Sequence, residues 1–190
     1  MANLLPPALS PKSSAQGADT NTKPTFQRDG LAITGAYGLI FQVSKDRVRK
    51  MPKIFYEGTD ELRESNRTNR LAFKNEKAVY ERLVSHDGII RCFKLLDSST
   101  ELALASQGNL EEYIQTNSLP YRELRSKWIR LLVNTFDYVH SCKVVLRDVA
   151  LRNILLDNNS LKLCDFGESF LLPLDTSMEH FCAKHGSAQK

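Results

Sequence analysis

The sequence predicts an α+β fold in which a small antiparallel sheet with one helix precedes a mainly helical region that contains a β-hairpin. Strand-like runs separated by tight turns cover residues 31–51, a long amphipathic helix covers residues 122–141, and two apolar runs flank a turn at residues 157–160. Short apolar or alternating runs between turn residues are typical of strands, and apolar residues three and four apart are typical of helices. Separate sheet and helix regions define the α+β class.

Composition favours one soluble domain and gives no sign of a nucleic-acid or membrane partner. The 190 residues are 42% hydrophobic and 25% charged, with a net charge of +4, which is ordinary for a globular protein. No apolar run approaches the ~20 residues that a membrane-spanning helix needs, and the first residues lack the charged start of a secretory signal. The four cysteines do not have zinc-site spacing, so we expect reduced thiols in an intracellular protein, cytoplasmic or nuclear.

Three segments follow one another along the chain. Residues 1–25 are rich in Pro, Ser, Ala and Thr and predict a disordered tail. Residues 26–105 predict the sheet and its helix, and residues 106–190 predict the helical region. The predicted elements are strands at 31–34, 39–44 and 47–51, a helix at 69–84, strands at 89–96 and 101–105, helices at 110–115 and 122–141, and an irregular tail from 173.

The second hairpin places oxygen-bearing side chains together. If the run 154–156 pairs with 161–163, with residue 156 opposite residue 161, then Asn153 and Asp165 stand side by side just outside the strand ends. Asp148 lies five residues before Asn153. Hard oxygen ligands of this kind suit Mg²⁺, which binds through one or two protein groups plus phosphate oxygens. The sequence therefore indicates that Asp148, Asn153 and Asp165 form a group of oxygen ligands suited to Mg²⁺ at this end of the hairpin.

Three motifs together resemble the eukaryotic protein kinase domain. Residues 146–153, Leu-Arg-Asp-Val-Ala-Leu-Arg-Asn, resemble the kinase catalytic loop, and residues 165–167, Asp-Phe-Gly, resemble the magnesium-binding motif. Residues 33–40, Ile-Thr-Gly-Ala-Tyr-Gly-Leu-Ile, resemble the glycine-rich loop, with Ile33 in place of the first glycine. The resemblance covers about residues 31–190 and in character is closest to diverged kinase-like proteins of filamentous fungi. The alternative is an ordinary hairpin with an Asn cap and an Asp turn.

The predicted helix at 69–84 provides an internal check. Glu76 falls on its apolar stripe, where an unpaired carboxylate is costly. In kinases the corresponding glutamate pairs with a lysine on the third strand, and Lys50 in Val48-Arg49-Lys50 fits that lysine. Two alternatives stay open: Glu76 could lie at the helix edge in solvent, and Lys53 could compete with Lys50.

The resemblance implies an ATP- and Mg²⁺-dependent phosphotransferase acting on a protein hydroxyl. Asp148 would orient the acceptor and take its proton, and Lys50, fixed by Glu76, would hold the α- and β-phosphates. Asn153 and Asp165 would hold the metal. Leu104 would lie at the back of the adenine pocket. The positions implied for nucleotide contact are Ile33, Gly35, Gly38, Ile40, Val48, Lys50, Leu104 and Ser106.

The motifs also depart from the family pattern. Leu146 replaces the histidine of His-Arg-Asp, and Ala150 with Arg152 is closer to a tyrosine-kinase loop than to a Ser/Thr-kinase loop, so acceptor specificity stays open. No Ala-Pro-Glu follows, and the sequence ends 23 residues after Gly167. We therefore expect a domain truncated before the end of the C-terminal lobe, with little activity on its own. The alternatives are an inactive nucleotide-binding or interaction module and a truncated gene product.

Overall fold

The computed structural model describes residues 33–56 and 58–185. The predicted disordered tail at 1–25 lies outside the described residues. Strands and helices alternate with short connections over the described part of the chain. They are β1 Ile33–Thr34, β2 Gly38–Ser44, β3 Arg47–Pro52, α1 Asp60–Leu83, β4 Cys92–Leu95, β5 Thr100–Ala103, α2 Leu110–Thr116, α3 Arg122–Ser141, β6 Val144–Val145, a 3-10 turn Leu151–Asn153, β7 Ile154–Asp157, β8 Ser160–Leu163, β9 Phe170–Leu171 and α4 Met178–His185.

The predicted α+β arrangement is confirmed. β1, β2 and β3 form the expected meander inside a five-stranded antiparallel sheet of order β1-β2-β3-β5-β4. β7 and β8 pair with Ile154 opposite Leu163 and Leu156 opposite Leu161, which is the predicted register. A short pairing of β6 with β9 was not predicted. The two halves of the molecule are joined where the backbone N–H of Ile90 donates to the carbonyl of Leu163 at 2.9 Å.

Helix α1 begins at Asp60, nine residues earlier than predicted, which makes the expected start at residue 69 wrong. Thr59 caps the helix by accepting from the Leu62 N–H at 3.4 Å, and acidic residues in the first turn complement the helix dipole. Asn66 then exchanges two hydrogen bonds with the backbone of Phe55, at 2.7 and 2.9 Å. The charged stretch after β3 is therefore helical because polar contacts, rather than an apolar stripe, hold its first turns.

The core lies where α1, α3 and the β7–β8 hairpin meet. Trp128, Thr135 and Val139 on α3 are buried, as their helical spacing predicts. The indole N–H of Trp128 donates to the Asn159 carbonyl at 2.9 Å, so this tryptophan joins α3 to the hairpin turn. Gly88 packs so tightly against α3 that an added Cβ would lie 1.7 Å from the Thr135 hydroxyl oxygen.

The prediction of an irregular tail from Pro173 is wrong over part of that segment, because Met178–His185 forms α4. The Ser177 hydroxyl accepts from the His180 N–H at 3.3 Å, which caps the first turn. Among the described side chains, Cys92, Cys142 and Cys164 are free thiols, as predicted. The side chain of Cys182 lies outside the described part of the structure.

Candidate active site

A cleft of about 1470 Å³, including its solvent-open mouth, separates the five-stranded sheet from the β7–β8 hairpin. Its roof is the 35–38 loop together with β2 and β3, its rear is β5, and its floor is the segment 148–155. Most of the side chains that the sequence singled out line it. These are Gly35, Gly38, Ile40, Val48, Lys50, Glu76, Leu104, Asp148, Asn153 and Asp165.

Lys50 joins three elements at the inner end of this cleft. Its Nζ lies 2.8 Å from Glu76 Oε1 on α1 and 2.9 Å from Asp165 Oδ1, which follows β8. Glu76 is only 1% exposed, so the solvent-facing alternative is wrong. The competing Lys53 instead stacks on the Phe55 ring, with its Nζ 5.0 Å from the centroid. The pairing of Lys50 with Glu76 that the kinase resemblance implied is present.

Burial and charge oppose each other at this ion pair. Burial lowers the pKa of Lys50, but the carboxylates of Glu76 and Asp165 outweigh burial and hold that pKa above its ordinary value. Burial raises the pKa of Glu76, and the Lys50 ammonium opposes that shift. Lys50 is therefore a charged group at neutral pH, held by two acids and facing the cleft.

Asp165 is held in an uncommon backbone conformation. Its φ of 61° lies in the left-handed region, which costs a non-glycine residue about 1–3 kcal/mol unless its surroundings impose it. The Asn75 side-chain amide on α1 supplies part of that constraint by donating to the carbonyls of Gly167, at 3.0 Å, and Ser169, at 2.6 Å. The Asp165 side chain remains 39% exposed toward the cleft.

Asp148 is contacted by two side chains from the turn that follows it. Arg152 Nη2 lies 2.7 Å from both carboxylate oxygens, and Asn153 Nδ2 donates to Oδ2 at 2.9 Å. Because Asn153 uses its amide nitrogen on Asp148, its amide oxygen is the group left for a ligand on the cleft side. The 3-10 turn Leu151–Asn153 places these three side chains on the cleft floor.

The donor set fits Mg²⁺ better than zinc. No cluster of three His, Cys, Asp or Glu side chains that could hold a metal occurs in the part of the chain that the structure describes. The available groups are one amide oxygen from Asn153 and the carboxylate of Asp165, which are the hard ligands that Mg²⁺ combines with water and phosphate oxygens. The nearby Cys164 is a poor competitor, because burial raises the pKa of its thiol to about 12.

The glycine loop lies close over the inner end of the cleft. An added Cβ on Gly38 would meet the Met51 carbonyl at 3.0 Å and Lys50 Cε at 3.2 Å, so a larger residue there would press on β3. Tyr37, between the two glycines, donates its hydroxyl to Glu168, and this hydrogen bond raises the pKa of Tyr37. The backbone of Ile33 pairs with Ile40, but its side chain is outside the described part.

Two assignments at the adenine end need correction. Leu102, rather than Leu104, lies at the rear: it is buried, and it sits opposite Val48 on the face that carries Lys50. β5 ends at Ala103, two residues before the predicted end, so the residue at the rear of the cleft is two positions earlier in the sequence than predicted. Ser106 does not line the cleft, because its N–H and hydroxyl both donate to Asp157 Oδ1, at 3.1 and 2.8 Å.

Sequence reasoning missed several cleft contacts. The role of Arg152 could have been found, since a cation four residues after Asp148 in a helical turn can reach it. The Tyr37–Glu168 contact joins residues 131 positions apart, and no local pattern signals it. The Asn75 contacts span more than 90 positions and were likewise invisible.

Comparison with known proteins agrees with this geometry. The protein kinase domain model matches residues 34–186. The chain belongs to the protein kinase family. Human NUAK family SNF1-like kinase 1 is 35% identical over 168 residues, which cover 85% of this chain and 25% of that protein. Rice CBL-interacting protein kinase 31 is 37% identical over 95 residues, which cover 47% and 21%, and human testis-specific serine/threonine-protein kinase 4 is 31% identical over 97 residues, which cover 48% and 30%.

This kinase chain spans less than a third of the length of each of these relatives. In this family arrangement, the antiparallel sheet forms the N-terminal lobe and the helices that follow it belong to the C-terminal lobe. Among the helices that the structure describes, none is long and apolar enough to cross a membrane.

Proposed function

We propose that this chain binds ATP with Mg²⁺ in the cleft and transfers the terminal phosphoryl group to a protein hydroxyl. The observation that carries the proposal is the placement of Lys50 between Glu76 and Asp165, at 2.8 and 2.9 Å. A buried cation is costly unless it is paired, and here the pairing aims it into an open cleft rather than into the core. Perturbed ionisable groups of this kind in a cleft are typical of functional sites.

Each cleft residue has a specific task in this proposal. Lys50 contacts the α- and β-phosphates, and the backbone of the 35–38 loop approaches the phosphates from above. Asn153 and Asp165 would hold Mg²⁺, which when bound neutralises charge on the phosphates. Asp148 orients the acceptor hydroxyl and takes its proton. Most of the rate enhancement then comes from positioning and electrostatics.

A non-catalytic nucleotide-binding module is the second candidate. The contact of Arg152 Nη2 with both carboxylate oxygens of Asp148, reinforced by Asn153, favours it, because these three hydrogen bonds compete with an acceptor hydroxyl for the same carboxylate. If the chain is catalytic, the acceptor hydroxyl must replace one of these hydrogen bonds or bind the same carboxylate oxygen beside it.

Transfer of labelled γ-phosphate to a generic protein substrate separates the two candidates. We expect slow transfer by the 190-residue chain alone, because Ile129 and Val133 on α3 are 64% and 60% exposed and leave the helix behind the catalytic loop poorly supported. Asp148→Asn should abolish that transfer while leaving the ATP affinity within about twofold of the unchanged value. A loss of this kind is expected because a displacement of a catalytic group by only 1 Å already lowers the rate ~10²-fold.

The same assay shows what would reject each assignment. Transfer that persists in Asp148→Asn contradicts the role of Asp148. Nucleotide binding with no transfer above that of Asp148→Asn supports the non-catalytic candidate. Asp137→Asn, on the exposed side of α3, is the matched control and should behave as the unchanged chain does.

A further inference from the structure

Cations that are far apart in the sequence collect on the outer side of the five-stranded sheet. Arg47 and Arg49 lie on β3 and point away from the cleft, because side chains alternate along a strand and Lys50 points inward. Lys94 on β4 and Arg91 just before it complete the group, and both are exposed. We call these four residues the outer basic face.

One carboxylate lies at the centre of the outer basic face. Glu101 on β5 is buried, and its Oε1 accepts from Arg49 at 2.8 Å. Its Oε2 lies 4.0 Å from Arg47 and 3.9 Å from Lys94, which is the outer limit of ion-pair contact. Arg47, Arg49 and Lys94 therefore lie within 4.0 Å of one acid, and Arg91 joins the group through the Phe93 ring rather than through Glu101. Glu101 carries a single negative charge, so it does not neutralise all four cations of the outer basic face.

Phe93 holds two of these cations in place. The guanidinium of Arg47 lies 4.1 Å from the ring centroid, and that of Arg91 lies 4.7 Å from it. The register of β4 shifts between Cys92 and Lys94, which lets neighbouring residues contribute to one face. Stacked guanidiniums lose less side-chain entropy when they bind a ligand, which is a form of preorganisation.

We propose that the outer basic face binds an acidic segment of a partner polypeptide, which goes beyond the proposed nucleotide function. Planar guanidiniums match carboxylates in bidentate geometry. The face spans three neighbouring strands, β3, β5 and β4, or about 10 Å between the outer two. An extended peptide at ~3.3 Å per residue presents only a few carboxylates over that width. Tight nucleic-acid binding uses about 6–10 phosphate contacts, more than four cations provide.

The test uses fluorescence anisotropy of a labelled ten-residue glutamate peptide with the full 190-residue chain, at low salt and near physiological salt. Arg91→Ala/Lys94→Ala removes two positive charges of the outer basic face and keeps the Arg49–Glu101 contact. We expect peptide affinity to fall about five- to tenfold, since each exposed charge pair contributes modestly. The control Lys127→Ala/Arg130→Ala removes the same charge from the exposed side of α3 and should bind as the unchanged chain does.

Two further measurements guard the interpretation. Arg91→Gln/Lys94→Gln removes the same charges but keeps polar side chains, and it should reproduce the loss without lowering the melting temperature. ATP binding should be unchanged in both Arg91/Lys94 variants, which separates this proposal from the nucleotide function. Equal losses in the α3 control, or no loss in either Arg91/Lys94 variant, would overturn the proposal. Binding of phosphatidylserine vesicles or a single-stranded RNA oligonucleotide, but not of the peptide, would also overturn it.

Discussion

Asp165→Ala should remove the dependence of ATP affinity on Mg²⁺. In the unchanged chain we expect ATP to bind more tightly with Mg²⁺ than with EDTA, because Asp165 offers a carboxylate on the cleft side and contacts Lys50 at 2.9 Å. Loss of groups that merely support a metal ligand costs ~10–100-fold in metal affinity, and loss of a ligand should cost at least as much. The measurement is calorimetric titration of ATP at fixed Mg²⁺ and in EDTA.

The control for this titration is Asp137→Ala, which removes the same charge from an exposed position on α3. It should keep the full gain in ATP affinity that Mg²⁺ gives. If Asp165→Ala keeps that gain as well, the assignment of Asp165 as a metal ligand is wrong. In EDTA no metal bridges Asp165 to the nucleotide, so Asp165→Ala should change the ATP affinity less in EDTA than in Mg²⁺.

Lys50→Met should destabilise the domain strongly. It leaves Glu76, at 1% exposure, as an uncompensated buried charge, and breaking a buried pair in this way costs about 3–5 kcal/mol. That loss would lower the melting temperature by about 10 °C for a domain of this size. Denaturant or thermal unfolding of the 190-residue chain measures it.

The loss should depend on pH with a defined sign. Burial raises the pKa of Glu76, and removing the Lys50 ammonium removes the positive charge that opposes this rise. A carboxyl whose folded pKa is raised destabilises the protein above that pKa and not below the unfolded value. The cost of Lys50→Met should therefore be largest at pH values above the raised pKa of Glu76 and shrink as pH falls toward the ordinary pKa of a glutamate.

Lys50→Met/Glu76→Leu is the matched rescue. Replacing a whole buried ion pair by apolar groups of similar volume is often neutral or stabilising, so the double variant should recover most of the lost stability. A double variant as unstable as Lys50→Met would show that the two side chains do not act as a pair. With Glu76→Leu as the second single variant, a double-mutant cycle gives the coupling free energy between the two side chains.

The β7–β8 hairpin and the need of Glu76 for a cationic partner could be predicted because each follows from a local rule. Pairing across the 157–160 turn fixed the register that brings Asn153 and Asp165 to the same end. A carboxylate on the buried stripe of a helix needed a cation, and Lys50 on β3 supplied it. Strand pairing was sufficient for the hairpin, whereas the choice of Lys50 also needed the resemblance to the kinase family.

Other features depend on contacts that periodicity does not encode. The first turns of α1 carry no apolar stripe, and what holds them is the hydrogen bonding of Asn66 to the backbone of Phe55. The rear of the cleft was misplaced by two residues because the end of a short strand has no sharp signal in composition. The outer basic face needed the strand pairing itself, since β3 and β4 are separated by the whole of α1.

The central claim is that Lys50 is the phosphate-binding cation of a nucleotide cleft. Titration of ATP with Mg²⁺ into the unchanged chain and into Lys50→Met/Glu76→Leu tests it most directly, because the double variant keeps the fold but lacks the cation. We predict binding by the unchanged chain and at least tenfold weaker binding by the variant, since a hydrogen bond to a charged group contributes ~1.5–3 kcal/mol. Equal affinity in two chains that melt at the same temperature would contradict the claim.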